Sequence, residues 1–458
     1  MKNNNTDIFN KLRFSFMKMS PMRVILLGFL TIITLGAILL SLPISSQTGE
    51  FTNFIDSFFT STSATCVTGL VRFDTYTHWS WFGKAVILCL IQIGGLGFMT
   101  MAISLIALTK RRIGIDTRVI MQNSISAPQV GGIVKLTKKI FIGTAIIEGS
   151  GAVLLSIHFI PRLGIFKGII YSIFHSVSAF CNAGFDLMGY QSQFSSLTGE
   201  SSNWYFNIVI MLLITVGGLG FVVWFDLINS KFRFKELHLQ SKLVLVVSGT
   251  LTLLGAIVIF LFELNGTLYE NMSLSEQILA SLFQSVTSRT AGFNTVDLAG
   301  LTDSSLYMMI ILMFIGGSTG STAGGLKTTT FAVLILTIFS TVNRKKDLEC
   351  FGRRLEDGLG KTAACLFTIY IMVSVGSAMV VSNIENISML KALFECVSAM
   401  ATVGSTLGIT TKLGIISEII LIILMMLGRI GSVTVLSALF SDKSKITSKL
   451  AQEKIQIG

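Results

Sequence analysis

The chain has 458 residues, 51% of them hydrophobic and only 13% charged, with a mean hydropathy of +0.74. Soluble proteins carry about 25% charged residues, so a soluble, disordered or fibrous chain is excluded; six cysteines without a Cys-x-x-Cys pair exclude a disulfide scaffold. The net charge of +11 is no nucleic-acid footprint, because 26 of the 35 Lys and Arg fall in five short segments between long apolar stretches.

Those segments run from Lys2 to Arg23, Lys110 to Lys139, Lys231 to Lys242, Arg344 to Lys361 and Lys443 to Lys454. Positive loops stay on the cytoplasmic side of a membrane. This predicts a multi-pass protein of the cell membrane with both termini cytoplasmic. Four membrane excursions lie between the five segments. Their long apolar runs pair as 22–44 with 79–108, 137–160 with 203–228, 241–263 with 305–340, and 359–382 with 415–440. The stretch from Val24 to Leu42 is long enough to span a ~30 Å hydrocarbon core and reads as a retained first helix. Between the members of each pair sits a shorter segment, beginning near residues 53, 167, 275 and 388. Helices of about 12 residues are too short to cross, so these segments are predicted to enter and return on one side. Backbone of that kind is tolerated at membrane depth only where it is covered by protein or lines a watery path.

The short segments repeat one another: FTSTSATCVTG from Phe59, FHSVSAFCNAG from Phe174, FQSVTSRTAG from Phe283 and FECVSAMATVG from Phe394. A Ser or Thr stands four places after each Phe (Ser63, Ser178, Thr287, Ser398). Each copy ends on a glycine: Gly69, Gly184, Gly292 and Gly404. The third copy is one residue shorter. A fixed period marks a repeat architecture. All four copies run in the same direction, which favours four-fold packing about the membrane normal over inverted pairs. The predicted fold is an all-α polytopic membrane protein. It has four tandem helix–pore loop–helix repeats in a pseudo-four-fold arrangement around a central ion pore. The repeats cover residues 1–110, 111–231, 232–343 and 344–458, with a cytoplasmic arm on the first and a cytoplasmic tail on the last.

Four short helices entering from outside would aim their C-terminal ends, each carrying about half a negative elementary charge, at one point. That favours a cation. A following glycine takes positive φ without a Cβ clash and lets carbonyls turn inward, where rings of them replace the hydration shell of a potassium ion. The candidate strands are Val67-Thr68-Gly69, Asn182-Ala183-Gly184, Thr290-Ala291-Gly292 and Thr402-Val403-Gly404, with K+ at their carbonyls.

The motifs CVTGL at 66–70, CNAGF at 181–185, RTAGFNT at 289–295 and ATVGS at 401–405 resemble the filters of the Trk/Ktr/HKT superfamily of potassium and sodium uptake proteins. The resemblance covers about residues 20–440 and is nearest the bacterial Ktr membrane subunit. It implies one filter glycine per repeat. Some sodium-preferring plant relatives have serine at the first of these positions, so Gly69 implies potassium. It further implies a homodimer in membrane lipid and a separate cytosolic ring of nucleotide-binding, RCK-type regulatory subunits. The basic loops suit that ring and anionic lipid headgroups equally.

A second patch recurs in the second helix of each repeat: IGGLGF at 93–98, VGGLGF at 216–221, IGGSTGS at 315–321 and LGRIGS at 427–432. The third continues as Gly316, Gly317, Ser318, Thr319, Gly320, Ser321, Thr322, Ala323, Gly324 and Gly325. Glycine costs about 1 kcal/mol per helix position relative to alanine, so the helix should break here. The resemblance implies an intramembrane loop that gates the pore; close glycine packing between helices is the alternative. Arg429 occupies the column of Gly95, Gly218 and Gly317 and needs a partner or water at that depth. The bare carbonyls of the broken helix suit its guanidinium fork, and a salt bridge to Glu148 is the other reading. Lys327 either joins the gate or snorkels toward the cytoplasm. Arg289 is expected to pack behind the filter, since a cation on the axis would oppose conduction. Gly320 to Thr328 resembles a phosphate loop but has one residue too many and no preceding strand. No nucleophile–base cluster suggests an enzyme.

Overall fold

The computed structural model describes residues 21–97, 118, 122, 131–270, 272–345 and 347–431. The predicted terminal arms, residues 98–108 of the first excursion and residues 432–440 of the last lie outside them. The described chain is mainly helical. In order it forms α1 (Pro21–Ser41), α2 (Phe54–Cys66), α3 (Trp81–Leu96), α4 (Ile133–Leu163), α5 (Ile165–Cys181), α6 (Trp204–Leu219) and α7 (Phe221–Asn229). There follow α8 (Leu239–Glu263), α9 (Leu274–Thr287), α10 (Asp303–Phe314), α11 (Thr328–Val342), α12 (Leu359–Glu385), α13 (Met389–Met400) and α14 (Ile415–Ile430). A two-residue antiparallel hairpin, β1 (Glu349–Cys350) with β2 (Arg353–Arg354), separates α11 from α12.

Side-chain caps explain where several helices start. Asn53 accepts from Ile55 N at α2, Ser80 from Gly83 N at α3, and Asn203 from Phe206 N at α6. Ser273 and Glu276 form a reciprocal capping box at α9. Among the described residues, four helices, α1, α4, α8 and α12, are each long and apolar enough to cross a membrane, and the bent pair α6 and α7 passes the same test together. The four long helices turn large apolar side chains outward: Leu35 is 56% exposed, Ile146 64%, Leu253 62% and Met372 69%. Water would not tolerate such a belt, and hydrocarbon does. The short helices α2, α5, α9 and α13 are the most buried, with Phe59, Phe174, Phe283 and Phe394 in the core.

Each of the first three short helices is fastened to the long helix before it in the same way. Ser61 Oγ donates to Ile33 O at 2.7 Å, Ser176 Oγ to Glu148 O at 2.6 Å, and Ser285 Oγ to Thr252 O at 2.7 Å. Three residues beyond each acceptor is a glycine, Gly36, Gly151 or Gly255, whose missing side chain makes room for that serine. In the fourth segment Cys396 holds the serine's place.

The second helices depart from expectation. The runs 79–108, 203–228 and 415–440 read as continuous spans, with only the third excursion broken. Instead every second helix stops at the glycine patch. α3 ends at Gly97 (φ 80°), α6 at Gly220 (φ 99°) and α14 at Gly431 (φ 95°). Positive φ is cheap for glycine and ends a right-handed helix. α7 leaves α6 at an angle of 95°. In the third excursion the break is a loop from 315 to 327.

The first glycine of each patch is a packing requirement. A Cβ on Gly94, Gly217 or Gly428 would strike the backbone carbonyl of Thr65, Phe180 or Met400, at the end of a short helix. Gly217→Ala is therefore expected to lower stability by about 1–3 kcal/mol through overpacking. Gly143→Ala, with nothing within 4 Å, should leave it unchanged or raise it. Thermal unfolding of the purified protein in detergent distinguishes the two; equal melting temperatures would contradict the packing account.

The end of α4 is clasped by a buried carboxylate. Glu200 accepts from Arg162 Nη1, from Asn203 Nδ2 at 3.3 Å, and lies 3.4 Å from His158 Nε2. Burial pushes its carboxyl up, but the hydrogen bonds and charges of His158, Asn203 and Arg162 together hold it below the usual glutamate range. A depressed carboxylate contributes stability above its unfolded pKa and loses it as pH falls through the folded value. The melting temperature should drop as pH falls below the ordinary glutamate range, and Glu200→Gln should flatten that acid limb.

Candidate functional site

The segments that follow α2, α5, α9 and α13 share one backbone form. The residue two before each glycine has positive φ: Val67 57°, Asn182 59°, Thr290 86° and Thr402 52°. The glycines follow suit, with Gly69 at 95°, Gly184 at 67°, Gly292 at 78° and Gly404 at 92°. Positive φ at β-branched Val67, Thr290 and Thr402 costs about 1–3 kcal/mol each. Paired hydrogen bonds offset it. Val67 N donates to Ala64 O and Thr68 N to Ser63 O, with the same pair at Asn182 and Ala183 and at Thr402 and Val403. These are Schellman caps, which turn the chain sharply out of a helix C-terminus. The third segment, one residue shorter, differs: Ala291 N and Gly292 N both reach Thr287 O.

The four glycines touch in cyclic order. A Cβ on Gly69 would lie 2.6 Å from Ala183 O, and one on Gly184 2.7 Å from Ala291 O. On Gly292 it would strike Val403 O, and on Gly404 Thr68 O. Each segment thus presses its glycine against a carbonyl of the next, and the fourth returns to the first. Val67, Thr68, Asn182, Ala183, Thr290, Ala291, Thr402 and Val403 are all buried here. All twelve residues singled out from the four motifs come together, although they span more than three hundred positions of sequence.

Against this ring sits the loop of the third excursion. Gly324 packs on the Thr402 side chain, where a Cβ would collide, and Gly325, at a φ of 70°, lies close to Ala401 O. The loop is docked on the break in the second excursion. Ser318 N donates to Gly218 O at 3.0 Å, Thr322 N to Gly217 O at 3.3 Å, and Phe221 N to Gly320 O at 2.8 Å. Thr322 Oγ1 also donates to Phe180 O at 3.1 Å. Internal bonds brace it: Ser318 with Thr328, Thr319 with Thr329, and Ser321 Oγ to Ser318 O. A Cβ on Gly316 would strike Gly324 O, and one on Gly317 the Ala323 methyl.

Arg429, on α14, closes the assembly. Its Nη1 donates to Thr322 O, and its Nη2 to Gly94 O and, at 3.0 Å, to Gly95 O. One guanidinium therefore joins the fourth excursion to the loop of the third and to the end of the second helix of the first. The loop carbonyl is the expected partner. The two first-excursion carbonyls were not foreseen, though the aligned IGGLGF patch that supplies them was visible. The Glu148 alternative is not adopted: Glu148 accepts from Gln92 Nε2 at 3.0 Å and lies 3.7 Å from Cys181 Sγ. Lys327 folds back, its Nζ donating to Ala323 O at 2.7 Å, which is not a snorkelling geometry. Arg289 turns to α8, donating to Ser248 O and Ser248 Oγ, each at 3.1 Å. Sequence reasoning missed the docking role of Gly217 and Gly218 because one sequence does not say which patch faces which.

Residues 28–447 match the family model TrkH, described as cation transport protein. The potassium/sodium uptake protein NtpJ of Enterococcus hirae is 39% identical, over 96% of this chain and 98% of that protein. The Ktr system potassium uptake protein B of Bacillus subtilis is 36% identical over 92% and 93%, and the D protein of the same species 32% identical over 96% and 98%. The crystal structure of the potassium transporter TrkH from Vibrio parahaemolyticus superposes with a TM-score of 0.72 at 19% identity, over 93% of this chain and 86% of that one, so the fold is shared. With a family model matched over most of its length and relatives above 30% identity over nearly the whole chain, the protein belongs to the TrkH family of cation transport proteins.

Proposed function

We propose that the chain is the membrane subunit of a Ktr-type potassium uptake system and carries K+ through a filter made of the four glycine segments. The observation that carries this reading is the cyclic contact of Gly69, Gly184, Gly292 and Gly404 at the C-terminal ends of four short helices. Carbonyls and helix dipoles converge there with no side-chain cation among the strand residues, which suits a monovalent cation. The relatives named for potassium uptake support the choice of ion. Four tandem repeats, 1–110, 111–231, 232–343 and 344–458, each contribute one short helix and one strand around a pseudo-four-fold axis. Both termini are cytoplasmic, on the positive-inside rule. The resemblance to Ktr subunits further supports a homodimer seated on a cytosolic nucleotide-binding ring.

The loop from Gly316 to Gly325, with Lys327, is the gate, and Arg429 is its latch. Support comes from its place against Thr402 and from the three backbone carbonyls that Arg429 gathers. A guanidinium satisfies three carbonyls at once; a Lys ammonium lacks the planar fork.

Gly69→Ser tests the filter. The substitution forces a side chain into positive φ against Ala183 O and should erode the preference for K+ over Na+. Rubidium uptake and potassium-limited growth are measured in cells lacking their own potassium uptake, with a regulatory partner supplied. Unchanged selectivity in folded protein would remove the filter assignment.

Arg429→Ala, or deletion within Gly316–Gly325, should raise rubidium flux in proteoliposomes if the loop obstructs the path. A flux equal to or below that of the parent, in monodisperse protein, would leave the loop a packing element only.

A further inference from the structure

The Ser or Thr four places after each repeat Phe is the one element of the motif not yet given a task. All four hydroxyls are buried, and all four bond the segment that follows their own helix, but with opposite polarity. Ser63 Oγ accepts from Gly69 N at 3.1 Å, and Ser398 Oγ accepts from Gly404 N at 3.0 Å. Ser178 Oγ donates to Phe185 O at 2.6 Å, and Thr287 Oγ1 donates to Phe293 O at 2.8 Å.

The polarity has a geometric consequence. In a planar trans peptide the N–H of one residue and the C=O of the residue before it point in opposite directions. Drawing Gly69 N–H back toward Ser63 therefore drives Thr68 O away from the short helix. Drawing Gly404 N–H toward Ser398 does the same for Val403 O. Those are two of the four carbonyls that face the neighbouring glycines: Thr68 O confronts Gly404, and Val403 O confronts Gly292. In the second and third segments the hydroxyl instead captures the carbonyl just beyond the glycine. Phe185 O and Phe293 O are turned back toward α5 and α9 and so withdrawn from the ring.

We propose that Ser63, Ser178, Thr287 and Ser398 are positioning residues of the ion path that work as two unlike pairs. Ser63 and Ser398 hold a carbonyl toward the ion. Ser178 and Thr287 hold a carbonyl away from it. The ring is therefore not four-fold in its hydrogen bonding: the adjacent first and fourth segments are held one way and the adjacent second and third the other, and the two pairs carry unequal weight in selectivity. The inference rests on the filter reading above.

The asymmetry makes the test sharp. In Ser63→Ala or Ser398→Ala a buried Gly N–H loses its acceptor. An orphaned buried N–H is tolerated less readily than an under-satisfied carbonyl, so the peptide is free to rotate and take Thr68 O or Val403 O out of the ring. Competition of Na+ against rubidium uptake should show K+ preference falling by roughly tenfold, the factor that about 1.4 kcal/mol of a lost buried hydrogen bond corresponds to. Ser178→Ala and Thr287→Ala should change that preference several-fold less. Ser63→Thr, which keeps the hydroxyl, should restore it, as a merely space-filling role would not require. Size-exclusion profiles in detergent establish that each variant is folded, and Ser398→Ala repeats the test if Ser63→Ala is not. Wild-type selectivity in folded Ser63→Ala or Ser398→Ala, with Gly69→Ser still impaired, overturns the positioning role and leaves the filter reading intact. Equal losses in all four alanine variants overturn the two-pair division. Silence in both Gly69→Ser and the alanine variants removes the filter reading itself.

Discussion

Everything in the molecule bends to one steric fact: at four points only a hydrogen atom fits between one chain segment and a carbonyl of the next. Gly69, Gly184, Gly292 and Gly404 each face such a carbonyl at a distance no Cβ can occupy. Bringing four helix C-termini that close gathers four partial negative charges and several backbone carbonyls in a buried place, an arrangement that a cation would stabilise. The strain is local and repeated: a positive φ two residues before each glycine, three times on a β-branched residue. Schellman bonds and the four buried hydroxyls hold that conformation against relaxation.

The same steric logic governs the layer next to the ring. In the first, second and fourth excursions the first glycine of the patch lets a second helix lie directly on the carbonyl ending a short helix, at Thr65, Phe180 and Met400. The third excursion departs from this. There Gly316 packs on Gly324, a residue of its own loop. The contact that pins the other second helices is replaced by an internal one, and the freed backbone finds its partners on Gly217, Gly218 and Phe221 instead. A segment held by backbone bonds to a neighbour and by one arginine fork is better suited to two alternative positions than a helix packed along its length.

Sequence reading went far because the repeat is written in residue types with narrow conformational uses. The four motif glycines, the short apolar segments between long ones and the intruding Arg429 were all legible. Gly220 was legible as a residue and misread as part of a continuous span: a helix of mean apolar character gives no sign that its glycine will take a φ of 99° until a loop from elsewhere occupies the corner. Val67 and Thr402 at positive φ were not legible at all, since β-branched residues are the last expected there. The hydroxyl column was visible as a pattern, but its split into acceptors and donors was not, because hydrogen-bond direction depends on which peptide faces the side chain.

Composition, charge distribution and the recurring motif by themselves determined that this chain is a multi-pass membrane protein in which one short motif, ending on a glycine, recurs four times. Those are properties of short stretches, set by hydropathy, helix length and the lack of a Cβ. Only the tertiary structure decided which segment touches which. It set the cyclic order of the glycines, docked the third loop on the second excursion rather than the first, and brought one guanidinium to carbonyls more than three hundred residues away. Backbone carbonyls are alike at every residue, so no sequence can name the one an arginine will find; packing of the surrounding helices makes that choice.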